Sequence, residues 1–295
     1  MNSSSPVRPI DELVAQALAI SDWEDDDEYW SIVGDMQSRI DGTTFSRVVG
    51  LCHGATPPER RLGADVLGQY AARPDHPRLE HPHHDAVLPV LIDMAATNHD
   101  SQVVASVVGA LARLHDPVGL AAVLGHRHHP AARVRQHVAM ALPDLAGSPP
   151  GEVVVEALLE LSDDPDEAVR DWATFGLGTQ LDIDTPAVRE ALVTRIDDPD
   201  AVTSGEALVG LARRRDPRAL PHVLERLRSL ALADYLIDAA AELGDPRFLP
   251  LLQDLHDMVG VFNGRAASLE EAIEACGGRH VARRDDDHPV GFRVA

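Results

Sequence analysis

Residues 163–178 read DDPDEAVRDWATFGLG, and residues 197–227 read DDPDAVTSGEALVGLARRRDPRALPHVLERL. Both open on Asp-Asp-Pro-Asp and run directly into an apolar-periodic segment. The recurring phrase is an Asp-Pro or Pro-rich turn, a short helix carrying Val-Arg or a close variant, a second turn and a Leu-rich helix. At Val134-Arg135, Val169-Arg170, Val202-Thr203 and Tyr235-Leu236 it returns at intervals of 35, 33 and 33 residues. A period of this length marks stacked helical hairpins, none of which buries its apolar face alone. It predicts an all-α fold, an α-solenoid of six to seven helical hairpins.

Turn chemistry sets the hairpin ends. In Asp116-Pro117 and Asp216-Pro217 the Asp caps the second helix of its hairpin and Pro fills the first turn; Asp164-Pro165 and Asp198-Pro199 are expected to do the same for a first helix. Gly244 suits a helix C-terminus. Upstream, Ile10–Ile20 reads as an amphipathic helix, and six of the seven residues from Asp22 to Glu28 are acidic. That run leads into a helix near Glu28–Arg39, completed by Phe45–Cys52 as an atypical capping hairpin. Leu62, Val66, Leu67 and Tyr70 are spaced for one buried face, and a His- and Pro-rich insertion, Arg73 to His84, breaks the period. The organisation expected is a capping segment over residues 1–54, the solenoid over 55–260, and a helix with an aperiodic tail over 261–295.

DDPDEAVRDWATFGLG, DDPDAVTSGEALVGLARRRDPRALPHVLERL and LGDPRFLPLL (243–252) resemble HEAT repeats, in particular the short bacterial kind grouped with phycobilin lyase-like proteins. The resemblance covers about 55–260 and implies the solenoid. It also implies a ladder between repeats made by a turn Asp and an Arg on the following helix. Asp166 and Arg170 match that pattern and Arg135 matches in its repeat, while Thr203 stands where the next Arg is expected. The same hairpin serves scaffolds, adaptors, lyases and a few enzymes, so it does not fix a function.

Composition removes several functions. All 26 basic residues are Arg and none is Lys, which excludes a phosphate-loop lysine and lysine Schiff-base chemistry. The net charge of −22 repels phosphate backbones, so nucleic acid is not an expected partner. Two cysteines, Cys52 and Cys276, make neither a disulfide framework nor a thiolate cluster and are read as packing thiols. With no long apolar run and no basic segment before an apolar core, the chain reads as cytoplasmic, without a membrane span.

Candidate sites follow. His81, His83 and His84 beside Asp85 are of the residue types that hold zinc and are the candidate metal ligands; a solvated loop is the better reading. His126, His128, His129 and His137 form a second group, expected on the opposite edge. HEAT-like deoxyhypusine hydroxylases carry His-Glu pairs, and this chain contains none. Trp172 beside Asp171 resembles the aromatic and acid pairing of HEAT-like DNA glycosylases, but its spacing from Val169 and Gly176 places it in the core. Arg213 to Arg215 either meets an acidic partner or complements a helix C-terminus. No cofactor and no catalytic constellation is predicted. The reading is a non-catalytic scaffold that binds a protein partner on the concave surface, through Arg189, Arg218, His222, Arg226, Arg247 and Gln253 on the second helices. The alternative is a lyase-like or chaperone-like protein acting on a chromophore-bearing or modified protein.

Overall fold

The computed structural model describes residues 8–21, 23, 26–39, 41–69, 83–229, 233–259 and 266–278. These form sixteen α-helices and short 3-10 or π turns, with no strand among the described residues. Tyr70, His81, most of the His-rich insertion and the tail from residue 279 lie outside them. Packing divides the chain into two compact units, Met1–Ile183 and Asp184–Ala295.

The first unit opens with α1 (Ile10–Ala19), α2 (Asp27–Gln37) and α3 (Gly42–Cys52). Next come the helix pairs α4 (Pro57–Gln69) with α5 (His84–Thr97), α6 (Ser101–Leu114) with α7 (Leu120–Leu124) and α8 (Ala132–Ala141) with α9 (Glu152–Leu161). The unit ends on α10 (Glu167–Phe175), which continues into a π turn over Gly176–Gln180. Helices α4, α6, α8 and α10 lie side by side in chain order as a first layer, and α5, α7 and α9 pack against them as a second. The first layer is flanked on both sides, so α6 buries nearly its whole girdle, including Val103, Val104, Val107, Val108 and Leu111. Each such side chain contributes about 1.5–3 kcal/mol. Small residues set the layer spacing: a Cβ on Gly68 of α4 would stand 2.8 Å from both Cα and Cβ of Ala110 on α6.

In the second unit α11 (Pro186–Arg195) precedes the pairs α12 (Ala201–Arg213) with α13 (Ala219–Arg228) and α14 (Asp234–Leu243) with α15 (Leu249–Val259), and α16 (Ala266–Ala275) closes it. Helices α12, α14 and α16 pack in that order. Gly205 of α12 lies directly under the Tyr235 ring of α14, where a Cβ would approach ring carbons to 2.5 Å.

The helix starts are set by side-chain oxygens. Asp26, Asp41, Asp100, Asp166 and Asp200 each accept from backbone N–H groups of the following turn. Thr56 and Glu59 bond reciprocally as a capping box. The expectation that Asp164 and Asp198 cap first helices is corrected, because the caps are Asp166 and Asp200, two residues later. Asp164 and Asp198 instead accept from the backbone N–H of those capping residues, at 2.9 and 3.0 Å, and so shape the turn before the helix. Asp116, Asp216 and Asp245 do bind the first backbone N–H groups after their prolines. The residue before each of these is left-handed: His115 (φ 52°), Arg215 (φ 49°) and Gly244 (φ 59°). Only the third is the residue type that conformation favours.

A ladder of arginines ties the turns of the first unit. Arg60 Nη1 donates to the carbonyls of Gly54 and Ala55, and its Nε donates to Asn98 at 2.7 Å. Arg135 repeats this on His129 and Pro130 and forms a bidentate pair with Asp164 at 2.7 and 2.8 Å. Arg170 repeats it on Asp164 and Pro165. The carboxylate of the rung held by Arg135 is therefore Asp164, not Asp166, which is occupied as a cap. Counted from the caps, Ser204 rather than Thr203 stands where an Arg is expected. There Arg226 of α13 supplies the guanidinium, donating to Ile196 O at 2.7 Å and to Ser204 Oγ at 2.8 Å.

Candidate functional site

The residues of the first-layer helices that face away from the second layer recur at fixed distances from the caps. Six residues past Thr56, Asp100, Ala131 and Asp166 stand Leu62, Ser106, His137 and Trp172; nine past stand Asp65, Gly109, Met140 and Phe175. Positions three and four apart share one helix face, so these side chains line up across α4, α6, α8 and α10. Arg113 and Arg133 lie on the same stripe of α6 and α8.

At the α4 end this stripe is covered and strongly polar. Tyr29 of α2 is fully buried and its hydroxyl donates to Asp65 Oδ2 at 2.6 Å. Trp23 lies over two guanidiniums, with Arg61 Cζ 4.2 Å and Arg133 Cζ 5.4 Å from its ring. Trp23, Tyr29 and Trp30 contact one another at centroid distances of 5.3 to 6.4 Å. Burial pushes the Asp65 carboxyl above its ordinary value, opposed by the Tyr29 and Ser106 hydroxyls and by Arg113 and Arg61. Burial, then the Asp65 charge, raises the Tyr29 phenol. Burial, then Arg133 and Arg113, pushes His137 down to about 4, so its imidazole is neutral at pH 7. Burial likewise lowers Arg113, against the pull of Asp65. These groups are spread over residues 23–137, and the only trace of them in the sequence is polar residues interrupting Ala-, Val- and Leu-rich helices.

Trp172 is only partly covered, and Phe175 meets it edge-on at 5.9 Å. The expectation of a core Trp172 is corrected: the residues that enter the core on α10 are Val169 and Ala173, and Trp172 falls on the outward stripe. The second layer has a different character. Between α5 and α7 lies an apolar groove of 490 Å³, lined by Ile92, Ala95, Ala96, Ala121, Ala122 and His126, with Val118 at its rim 62% exposed.

The proposed partner residues of the second unit are mostly engaged within it. Arg189 binds Asp184 at 2.6 Å and Asp216 at 3.1 Å, and Arg218 binds Asp216 at 2.8 Å and Glu190 at 2.6 Å. Arg226 fills the vacant ladder rung, and Arg247 grips Asp245 at 2.8 Å. His222 is half-buried and Gln253 exposed. Arg214 donates to Gly210 O at 2.7 Å, which complements the end of α12. Of the imidazoles, His83 stacks on Phe45 with centroids 4.1 Å apart, His126 bonds Ala95 O at 3.0 Å, and His128 reaches Glu160 at 3.0 Å. His84 opens α5. His137 stands apart from the turn histidines, on the α8 stripe. Among the described residues no three metal-binding side chains gather, and no helix is long and apolar enough to cross a membrane. Both thiols are buried and free; burial raises Cys52 to about 12 and Cys276 to about 11, far from the thiolate that chemistry needs.

Comparison with known proteins places this architecture. Residues 155–243 match the family model of HEAT repeats. Protein YibA of Escherichia coli is 32% identical over 104 residues, 35% of this chain and 37% of YibA, so the match spans little more than a third of that curated relative. The crystal structure of YibA superposes with a TM-score of 0.65 at 23% identity, covering 90% of this chain and 97% of YibA, and shows a shared fold. The CpcE–CpcF complex of phycocyanin lyase from Nostoc reaches a TM-score of 0.45 at 15% identity, over 93% of this chain and 97% of that one. A likeness at that level carries no argument about activity. Period, helix pairing and these matches agree on the fold: the described residues are all-α, of the α-solenoid class, with a segment over 155–243 that matches HEAT repeats.

Proposed function

We propose that this protein is a non-catalytic scaffold of the cytoplasm that binds a protein partner on its second-layer helices. The observation that carries the reading is the 490 Å³ groove between α5 and α7. Its walls are alanines, so the second-layer backbones stand open to an incoming apolar side chain instead of being closed by their own. Ala96 and Ala121 are exposed and line it without belonging to the core. An apolar slot with a polar end, here His126, is the anatomy of a contact that desolvates a partner's anchor residue. In the second unit the remaining candidates are His222 and Gln253, since the four arginines hold their own turns.

The test is a paired capture. Wild type and an Ala96→Glu, Ala121→Glu double variant are cross-linked in the native host, the recovered partner is purified, and its affinity for both is measured. A loss of tenfold or more, about 1.4 kcal/mol, with unchanged helicity supports the reading; equal affinity removes it.

A further inference from the structure

The stripe over α4 and α6 brings two guanidiniums, Arg61 and Arg113, to one buried carboxylate, Asp65. Arg61 is 4% exposed and its Nε is buried without a hydrogen-bond partner. Arg113 is lowered by burial, and the field of Asp65 opposes that shift. That carboxylate is itself occupied by the Tyr29 hydroxyl. Gly109 leaves open a point beside Arg113 and His137: a Cβ built there would lie 3.5 Å from His137 Nδ1, and 3.7 and 4.0 Å from the two Nη atoms of Arg113. Arg133 shares the Trp23 ring with Arg61, and its charge acts on His137.

We propose that Arg61, Arg113, Arg133 and His137 form a binding site for one oxyanion, the carboxylate or phosphate group of a ligand, beside Gly109. A buried guanidinium N–H without an acceptor, as at Arg61 Nε, is costly, and an anion with several lone pairs satisfies it through a charge-assisted bond. His137 enters as a neutral ring able to donate one N–H, and it gains a proton when a second negative charge arrives. The aromatic wall of Trp23 and Tyr29 excludes water from one side, which strengthens each contact. The site is separate from the groove between α5 and α7, so groove variants leave it unchanged.

The experiment titrates the full chain with inorganic phosphate and, separately, with acetate at constant ionic strength set by chloride. Calorimetry and the NMR titration of the His137 imidazole are the readouts. Saturable binding of either anion, with a rise of the His137 titration midpoint by at least one pH unit, is expected, and Arg113→Gln abolishes both. Whichever anion binds more tightly identifies the ligand group. A second variant guards against a folding failure: Gly109→Asp, whose Cβ makes only ordinary contacts, supplies a carboxylate from within. It should melt higher than the neutral Gly109→Asn and lose the response to added anion. Signals that stay linear in anion concentration for both anions overturn the proposal, and so does a Gly109→Asp variant no more stable than Gly109→Asn.

Discussion

Replacing Asp164 by Ala removes the carboxylate on which the best-formed ladder rung closes. The side chains of Arg135 and Asp164 are 14% and 7% exposed, and the pair is bidentate at 2.7 and 2.8 Å. Leaving one partner of a buried pair alone costs about 3–5 kcal/mol. The low end applies, because Arg135 keeps its bonds to the carbonyls of His129 and Pro130. The loss of the turn bond from the Asp166 N–H is included in that figure. The expected destabilisation is about 3 kcal/mol, which for a unit of this size lowers Tm by about 6–12 °C. The acid dependence has a defined sign. Burial by itself raises Asp164, but hydrogen bonds from Arg135 and the Asp166 N–H, with the charges of Arg135 and Arg170, outweigh it and hold the carboxyl below its ordinary value. Its contribution is therefore complete above the unfolded value of about 4 and is lost as pH falls through the lower folded value. Urea denaturation followed at 222 nm measures the free energy, and hydrogen exchange of residues 132–141 and 167–175 localises it. A cycle with Arg135→Met should show coupling of about 2 kcal/mol. Additive single effects, or a loss below about 1 kcal/mol, would show that the rung behaves as an exposed ion pair and would refute the argument.

The three left-handed residues before Asp-Pro turns form a natural series. His115→Gly and Arg215→Gly should each raise stability by about 1 kcal/mol, and Gly244→Ala should lower it by about as much; thermal melts giving the opposite signs would exclude backbone strain as the cause. Gly68→Ala drives a methyl against Ala110 and should cost about 1–3 kcal/mol, while Gly50→Ala, with open space around its Cβ, should gain up to about 1 kcal/mol. His137, held down to about 4 by burial and then by Arg133 and Arg113, must be neutral to fold. The stability it gives is present above the unfolded midpoint of about 6.5 and falls as pH drops toward the folded one. Wild type should thus lose about 2 kcal/mol between pH 7 and pH 5 that His137→Gln does not, as denaturation at the two pH values will reveal.

The repeat was legible because hairpins must cap and turn in the same way each time. Asp-Pro and Val-Arg report that obligation directly, and the matched HEAT segment 155–243 contains the clearest copies. What misled was local degeneracy: in Asp-Asp-Pro-Asp either flanking Asp suits a cap, and only geometry assigns Asp166 to the helix and Asp164 to Arg135. Trp172 misled for a related reason. A period of 3.6 residues read from Val169 and Gly176 brackets it on the core side, whereas the narrow core stripe of α10 uses Val169 and Ala173 and leaves Trp172 at its edge. The polar stripe itself was out of reach, because its members come from separate helices and each looks, alone, like an imperfection in an apolar pattern.

Two sets of arginines in the first unit are treated in opposite ways. Those four residues past a cap, Arg60, Arg135 and Arg170, each find carbonyls in their own turn, and Arg60 and Arg135 also reach the next. Arg61 stands one residue further on, where the other first-layer helices carry Ala105, Gln136 and Asp171, so the hairpin does not require a cation there. Arg113 and Arg61 nevertheless share a single buried carboxylate that Tyr29 already holds. Replacing such groups by apolar residues of similar volume is commonly neutral or stabilising, so stability alone does not account for them. Residues that break a local rule without a compensating gain in the fold are where function is to be sought. In this chain that points to the first-layer face beside Gly109.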